Sequence, residues 1–138
     1  TANTVANLAL PTTTNNNNVV INSSDQITIS QAGTYNIQIS LQLVNTDNAA
    51  DHDIDVWFAK NGTDIANSAT QYTCTKNNGR IVASLNFIDG NISANDYFQV
   101  RYATTSANVQ IIAYPSQSSP YVRPAIPSAI VTVVPVGA

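Results

Sequence analysis

The densest group of chemistry-bearing residues in this chain is Asp51-His52-Asp53-Ile54-Asp55. Alternate residues of an extended strand share a face, so Asp51, Asp53 and Asp55 could align three carboxylates and hold a hard cation through oxygen. The stretch is not a calcium hand. Val56 stands at the sixth place, where the sharp turn needs Gly, and the closing Glu is missing because all eight acidic residues of the chain are Asp. Three like charges on one strand must then be offset by solvent or by Lys60, Arg80 or Arg101 on an adjacent strand. We read the stretch as a solvated or salt-bridged face and assign it no metal.

His52 between two Asp residues could also serve as a general base for a Ser or Cys nucleophile. It is the sole His, the sole Cys (Cys74) falls on a different expected strand, and no nucleophile elbow or Gly-rich oxyanion loop accompanies them. Zinc needs more nitrogen and sulfur ligands than these. Glycoside hydrolysis needs a carboxyl pair with one member in an apolar pocket, which no Asp pair here suggests. No catalytic residue and no cofactor is assigned, and a non-enzymatic protein is expected. Cys74 cannot form an internal disulfide and reads as a small hydrophobe. Two aromatic positions are more suggestive. Trp57 falls on the polar face of a strand, where it could stack on a sugar ring or lie at a subunit contact, and the contact is favoured. Tyr121 and Arg123 sit in a Pro- and Ser-rich stretch, 115–127, as candidate partner-binding residues.

The surroundings of these residues are unusual in charge. Charged residues make up 9% of the 138, far below the roughly 25% of ordinary soluble domains. Asn, Thr, Ser and Gln supply the polarity instead. With a net charge of -3 and only five Lys and Arg scattered along the chain, there is no basic stripe for phosphates, so no nucleic-acid partner is expected. No apolar run reaches the roughly 18 residues of a membrane-spanning helix, and no membrane partner is expected. The abundance of Val, Ile, Thr and Tyr predicts an all-β fold.

The elements follow from period-two alternation. Residues 1–18 read as an N-terminal arm or edge strand, with a weakly apolar run at Val5 to Leu10 followed by a polar, flexible tract; residues 19–138 read as one β-domain. In Gly33-Thr-Tyr-Asn-Ile-Gln-Ile-Ser-Leu-Gln-Leu43, Tyr35, Ile37, Ile39, Leu41 and Leu43 share one face. Residues 52–60 place Ile54, Val56 and Phe58 together, and Asn61-Gly62 then predicts a tight hairpin with Ile65 to Thr73 as its returning strand. A turn at Asn77-Asn78-Gly79 leads to a strand with Ile81, Ala83, Leu85 and Phe87 inside and Val82 and Ile88 opposite; Asp89-Gly90 is expected to start a wider connection. Two further strands, over 96–104 and 109–115, precede Ser128 to Val136. Eight or more short strands separated by turn residues predict an antiparallel sandwich or jelly roll.

The last strand poses a difficulty. Val131 and Val133 fall on one face and Ile130 and Val134 on the other, and one core cannot take both sets. One set is expected to meet neighbouring subunits. The expected contact residues are Trp57, Val82, Ile88, Val131 and Val133. A loop or the N-terminal arm covering the second face within one chain is the alternative.

Several pieces, in order, resemble the trimeric jelly rolls of the tumour-necrosis-factor and complement globular-head superfamily. They are Ala32-Gly33-Thr34-Tyr35, Lys60-Asn61-Gly62, Asn95-Asp96-Tyr97 with its alternating strand, and the apolar terminal strand. The stretches 53–68, 79–87, 94–102 and 123–133 are similar to versions of this domain in bacteriophage virion proteins. The resemblance implies a homotrimer in which the sheet with the terminal strand packs about a threefold axis. It further implies localisation to the virion, as a capsid decoration (cement) protein bound to the major capsid protein or another virion component. The alternative is the receptor-binding knob of a phage fibre, recognising a host surface glycan or protein. The short chain and the lack of an obvious stalk favour decoration, and the N-terminal arm is the expected docking element.

Overall fold

The computed structural model describes residues 1–10 and 17–137. Every regular element among them is a strand: β1 (Ala6–Asn7), β2 (Val19–Ile21), β3 (Ile27–Ile29), β4 (Gly33–Asn45), β5 (His52–Lys60), β6 (Thr63–Asp64), β7 (Thr70–Cys74), β8 (Gly79–Ile92), β9 (Asp96–Thr104), β10 (Val109–Ile111) and β11 (Ala129–Pro135). They form two packed antiparallel sheets, a β-sandwich. The seven-stranded sheet runs β2-β3-β9-β5-β6, with β1 also on β9 and β7 also on β5. The four-stranded sheet is built on β4, with β8 along one side and β10 and β11 end to end along the other.

The predicted alternation becomes the core. Ile37, Ile39, Leu41 and Leu43 of β4 face Ile54, Val56 and Phe58 of β5 and Phe98 and Val100 of β9, all 2% exposed or less. At about 25 cal/mol per Å² of apolar surface, each such side chain contributes about 1.5–3 kcal/mol. Both ends of the sandwich are latched by polar groups. At one, the buried Asn45 amide donates to Ala50 O and Cys74 O, both at 3.0 Å, and accepts from Asp47 N at 3.0 Å, which ties β4 to β7. At the other, Lys60 Nζ of β5 donates to Asp89 Oδ2 at 2.8 Å and Asn91 O at 2.9 Å on β8, with Asp96 Oδ2 at 3.7 Å.

Asn61 (φ 50°) and Gly62 (φ 84°) form the predicted turn. Two elements differ from expectation. The returning strand is not continuous over 65–73: it splits into β6 and β7 because the Ser68 hydroxyl accepts the Phe58 N–H at 3.1 Å, in place of a ladder carbonyl, and itself donates to Ile65 O. The strand from Gly79 passes through Asp89-Gly90 to Ile92 rather than ending there. Its first residue must be Gly, since a Cβ there would lie 2.3 Å from Thr75 O. Of the two N-terminal alternatives, arm or edge strand, the residues around β1 take the second, on β9. Leu8 N donates to Val100 O at 2.7 Å, Leu10 N to Asp25 Oδ1 at 2.8 Å, and both leucines are buried. The flexible tract expected after them falls largely on residues 11–16, outside the described residues.

Candidate assembly surface

The two outer faces of the sandwich differ in chemistry. On the four-stranded sheet, the register aligns Val134, Asn36 and Ile88 in one row, Thr132, Gln38 and Asn86 in the next, Ile130, Ser40 and Ser84 in the third, with Gln42 beside Val82 in the fourth. Apart from Arg80 at one end, these rows carry no charge. Ile88 is 58% exposed, Ile130 55%, Val82 50% and Val134 48%. Branched apolar side chains thus flank an uncharged amide and hydroxyl strip on both sides. Within the strip, Asn36 Oδ1 is buried with no hydrogen-bond partner among the described residues. At the Arg80 end, the guanidinium lies over the Tyr114 ring, 4.9 Å from its centroid, and Val44 is buried.

The outer face of the seven-stranded sheet is polar and internally satisfied. Asp53 Oδ1 accepts from Thr73 Oγ1 at 2.7 Å and Asp55 Oδ1 from Gln71 Nε2 at 3.0 Å. Trp57 lies opposite Arg101, which pairs with Asp64 at 2.6 Å and also donates to Asn7 Oδ1 and Gly62 O. The Trp57 side chain and the Arg101 guanidinium hold the Asp64 carboxyl below its usual range. Trp57 therefore belongs to a charged, hydrogen-bonded face on the opposite side of the sandwich from Val82 and Ile88.

The five residues expected at a subunit contact do not share a surface. Val82 and Ile88 point outward together. Val131 and Val133 pair with Ile39 and Ile37 and pack against the core, half-buried. The members of β11 that face outward with Val82 and Ile88 are Ile130 and Val134. Their parity was unreadable in β11 itself, where both faces are apolar, but it follows from pairing with β4, whose inward set is unambiguous.

The acidic stretch does not gather. Asp51 Oδ1 accepts the Lys76 N–H at 2.9 Å, while Asp53 and Asp55 are held by Thr73 and Gln71; among the described residues no group of three metal-ligating side chains is brought together. Nor do the expected cations offset them, since Lys60 serves Asp89, Arg101 serves Asp64 and Arg80 stacks on Tyr114.

One juxtaposition was missed. His52 and Cys74, on separate strands, are direct register partners, and His52 Nε2 lies 2.7 Å from Asp47 Oδ2. The set has the residue types of a Cys-His-Asp triad, but the thiol is 1% exposed, and burial and then Asp53 push its pKa up. A buried, protonated thiol is a poor nucleophile.

The segment 112–128 leaves and rejoins the four-stranded sheet at one residue: Ile112 N donates to Gln42 O and Gln42 N to Ser128 O. Between these ends Tyr114 pairs with Ile126 and Gln117 with Arg123. The Arg123 guanidinium is spent inside the loop, donating to Pro115 O at 2.9 Å and Pro124 O at 3.0 Å. Tyr121, 64% exposed, and Val122, 83% exposed, are left at its tip. Of the two candidate partner-binding residues, Tyr121 is presented outward and Arg123 shapes the loop. Val122 was missed because an isolated Val in a loop carries no periodic signal. No family model matches this chain, and no curated protein is significantly similar to it.

Proposed function

We propose that the protein is a non-enzymatic structural component of a virion, a homotrimeric jelly roll that decorates the capsid. The observation that carries the self-assembly reading is the uncharged outer face of the four-stranded sheet, with Val82, Ile88, Ile130 and Val134 exposed on it. The cores of protein interfaces are depleted in charge and enriched in apolar groups, and the opposite face, with Asp53, Asp55, Asp64 and Arg101, has the reverse character. The jelly-roll reading is supported by the strand order, in which β3 and β5 flank β9 and the terminal β11 returns to β4, as in Greek-key connections. Threefold symmetry and the virion setting rest on the sequence resemblance.

Because residues 1–10 are built into the sandwich, attachment to the capsid falls to the 115–127 loop. Three copies of the Tyr121-Val122 tip on one rigid trimer bind multivalently, so weak contacts combine through effective concentration. The same exposed tip favours the second reading, a fibre knob whose loops recognise a host glycan or protein. Electron cryomicroscopy of intact particles separates the two: regular sites on the shell support decoration, and the far end of an appendage supports the knob. With Tyr121→Ala and Val122→Asp together, the decoration reading predicts an intact oligomer that no longer binds the shell; undiminished shell binding would remove the loop from the account.

A further inference from the structure

Beyond packing through its outer face, the four-stranded sheet has an open edge. Hydrogen bonds from Gln42 N to Ser128 O and from Val136 N to Thr34 O fix the even-numbered residues of β11 as those bonded to β4. The N–H and C=O groups of Ala129, Val131 and Val133, with the C=O of Pro135, therefore point away from β4. Among the described residues no strand or side chain meets them. The sheet's other edge is treated differently: the free N–H of Ser84 on β8 donates to the Tyr72 hydroxyl at 3.0 Å, and that hydroxyl donates back to Ser84 O. A side chain from the facing sheet straps the β8 edge. Among the described residues nothing straps β11, which carries no charge, no bulge and no proline before its last residue, the usual devices that keep an edge from pairing.

We propose that β11 pairs antiparallel with β11 of a second copy, about a twofold axis through Thr132. The sequence of the strand selects this occupant, because Ala-Ile-Val-Thr-Val-Val-Pro is close to a palindrome about Thr132. In this register Val131 meets Val133 of the second copy and exchanges both backbone hydrogen bonds with it, using the groups left open. Ile130 meets Val134 of the second copy on the outer face, and Thr132 meets its own counterpart. Pairs of β-branched residues and Thr–Thr pairs are favourable cross-strand neighbours. The pairing also covers Val131 and Val133, which a single chain leaves only partly buried beside its core. Pro135, with no N–H to offer, closes the ladder at each end, and the 112–128 segment, rooted at Gln42, lies beyond it. Main-chain edge groups make this contact, whereas side chains of the outer face make the threefold one, and with the twofold axis crossing the threefold at a right angle the two contacts close as a pair of trimers.

The test is Val131→Pro, which deletes an edge donor without touching the β4 ladder, with folding checked by thermal melting. Native mass spectrometry is expected to show the mass halved relative to wild type. A halved mass corresponding to a trimer upholds both contacts, while a single chain derived from a pair upholds the edge and sinks the threefold reading. A second variant, Thr132→Cys, places two thiols at a non-hydrogen-bonded pair with Cα atoms about 4.5 Å apart, within disulfide reach. It is expected to cross-link copies in pairs under mild oxidation, also with Val82→Lys and Ile88→Lys present to disable the outer face, while wild type, whose Cys74 is buried, does not. An unchanged mass for folded Val131→Pro, or no cross-link in Thr132→Cys, would overturn the proposal.

Discussion

At the residue scale, the polar side chains of this protein act as latches. Lys60 neutralises Asp89 and satisfies Asn91 O across the two sheets, with a side chain only 22% exposed. Lys60→Met removes the ammonium that lies over the Phe98 ring and leaves these acceptors without a donor, and is expected to cost about 1–2 kcal/mol in urea denaturation. Three carboxyls are held below their usual range. For Asp96 the Asn61 amide acts first, then the Ser93 N–H and Lys60; for Asp47 the Ala49 N–H acts first, then His52; Asp64 has Trp57 and Arg101. Since these pKa values are lower in the folded than in the unfolded chain, their stabilisation is full above about pH 4 and is lost as the pH falls below it. The urea midpoint is therefore expected to hold from pH 7 to pH 5 and to fall from pH 4 to pH 2, less steeply in Asp96→Asn. A midpoint that rises on acidification would contradict these assignments. Much at this scale was legible from sequence. Asn61-Gly62 announced its turn because few other pairs take positive φ cheaply, but the meeting of His52 with Cys74 depends on a register between strands that alternation along one strand cannot supply.

At the scale of elements, a strand was legible where apolar and polar residues alternate without exception, as in β4 and β5, and ambiguous where both faces are apolar. β11 illustrates this: its orientation is dictated by Ile37 and Ile39 of its neighbour. Side-chain hydroxyls that replace backbone partners, such as Ser68 at Phe58, were invisible to periodicity, and so the hairpin's return was expected to be unbroken. The N-terminal segment is the most consequential case. Its weak pattern admitted either an arm or an edge strand, yet Leu8 and Leu10 are 5% and 7% exposed. Leu8→Ala or Leu10→Ala is expected to destabilise the fold by about 2–5 kcal/mol each, as large-to-small core changes do. A thermal melt within a degree of wild type for both variants would show that the segment does not stabilise the sandwich.

At the scale of the whole molecule, the sandwich has one charged, internally bonded face and one uncharged face rimmed with branched apolar side chains, and this asymmetry is the reason to read it as a building block. Val82 and Ile88 were identifiable from sequence as the outward set of their strand, whereas Ile130 and Val134 were not, since the choice between the two sides of β11 required the fold. That Trp57 lies on the other sheet from Val82 and Ile88 was unreadable for a related reason: period two gives the face within a sheet but not which sheet of a sandwich the strand joins. The claim that the uncharged face is buried between copies is tested most directly by measuring mass in dilute solution, by sedimentation equilibrium, for wild type and for Val82→Lys with Ile88→Lys. Both positions are exposed in the single chain, so the variant is expected to fold. Wild type is predicted to have a mass that is a multiple of the trimer, and the variant to lose the threefold contact and fall to a smaller species. A wild type that sediments as a folded single chain, or a variant with the mass of wild type, would contradict the account.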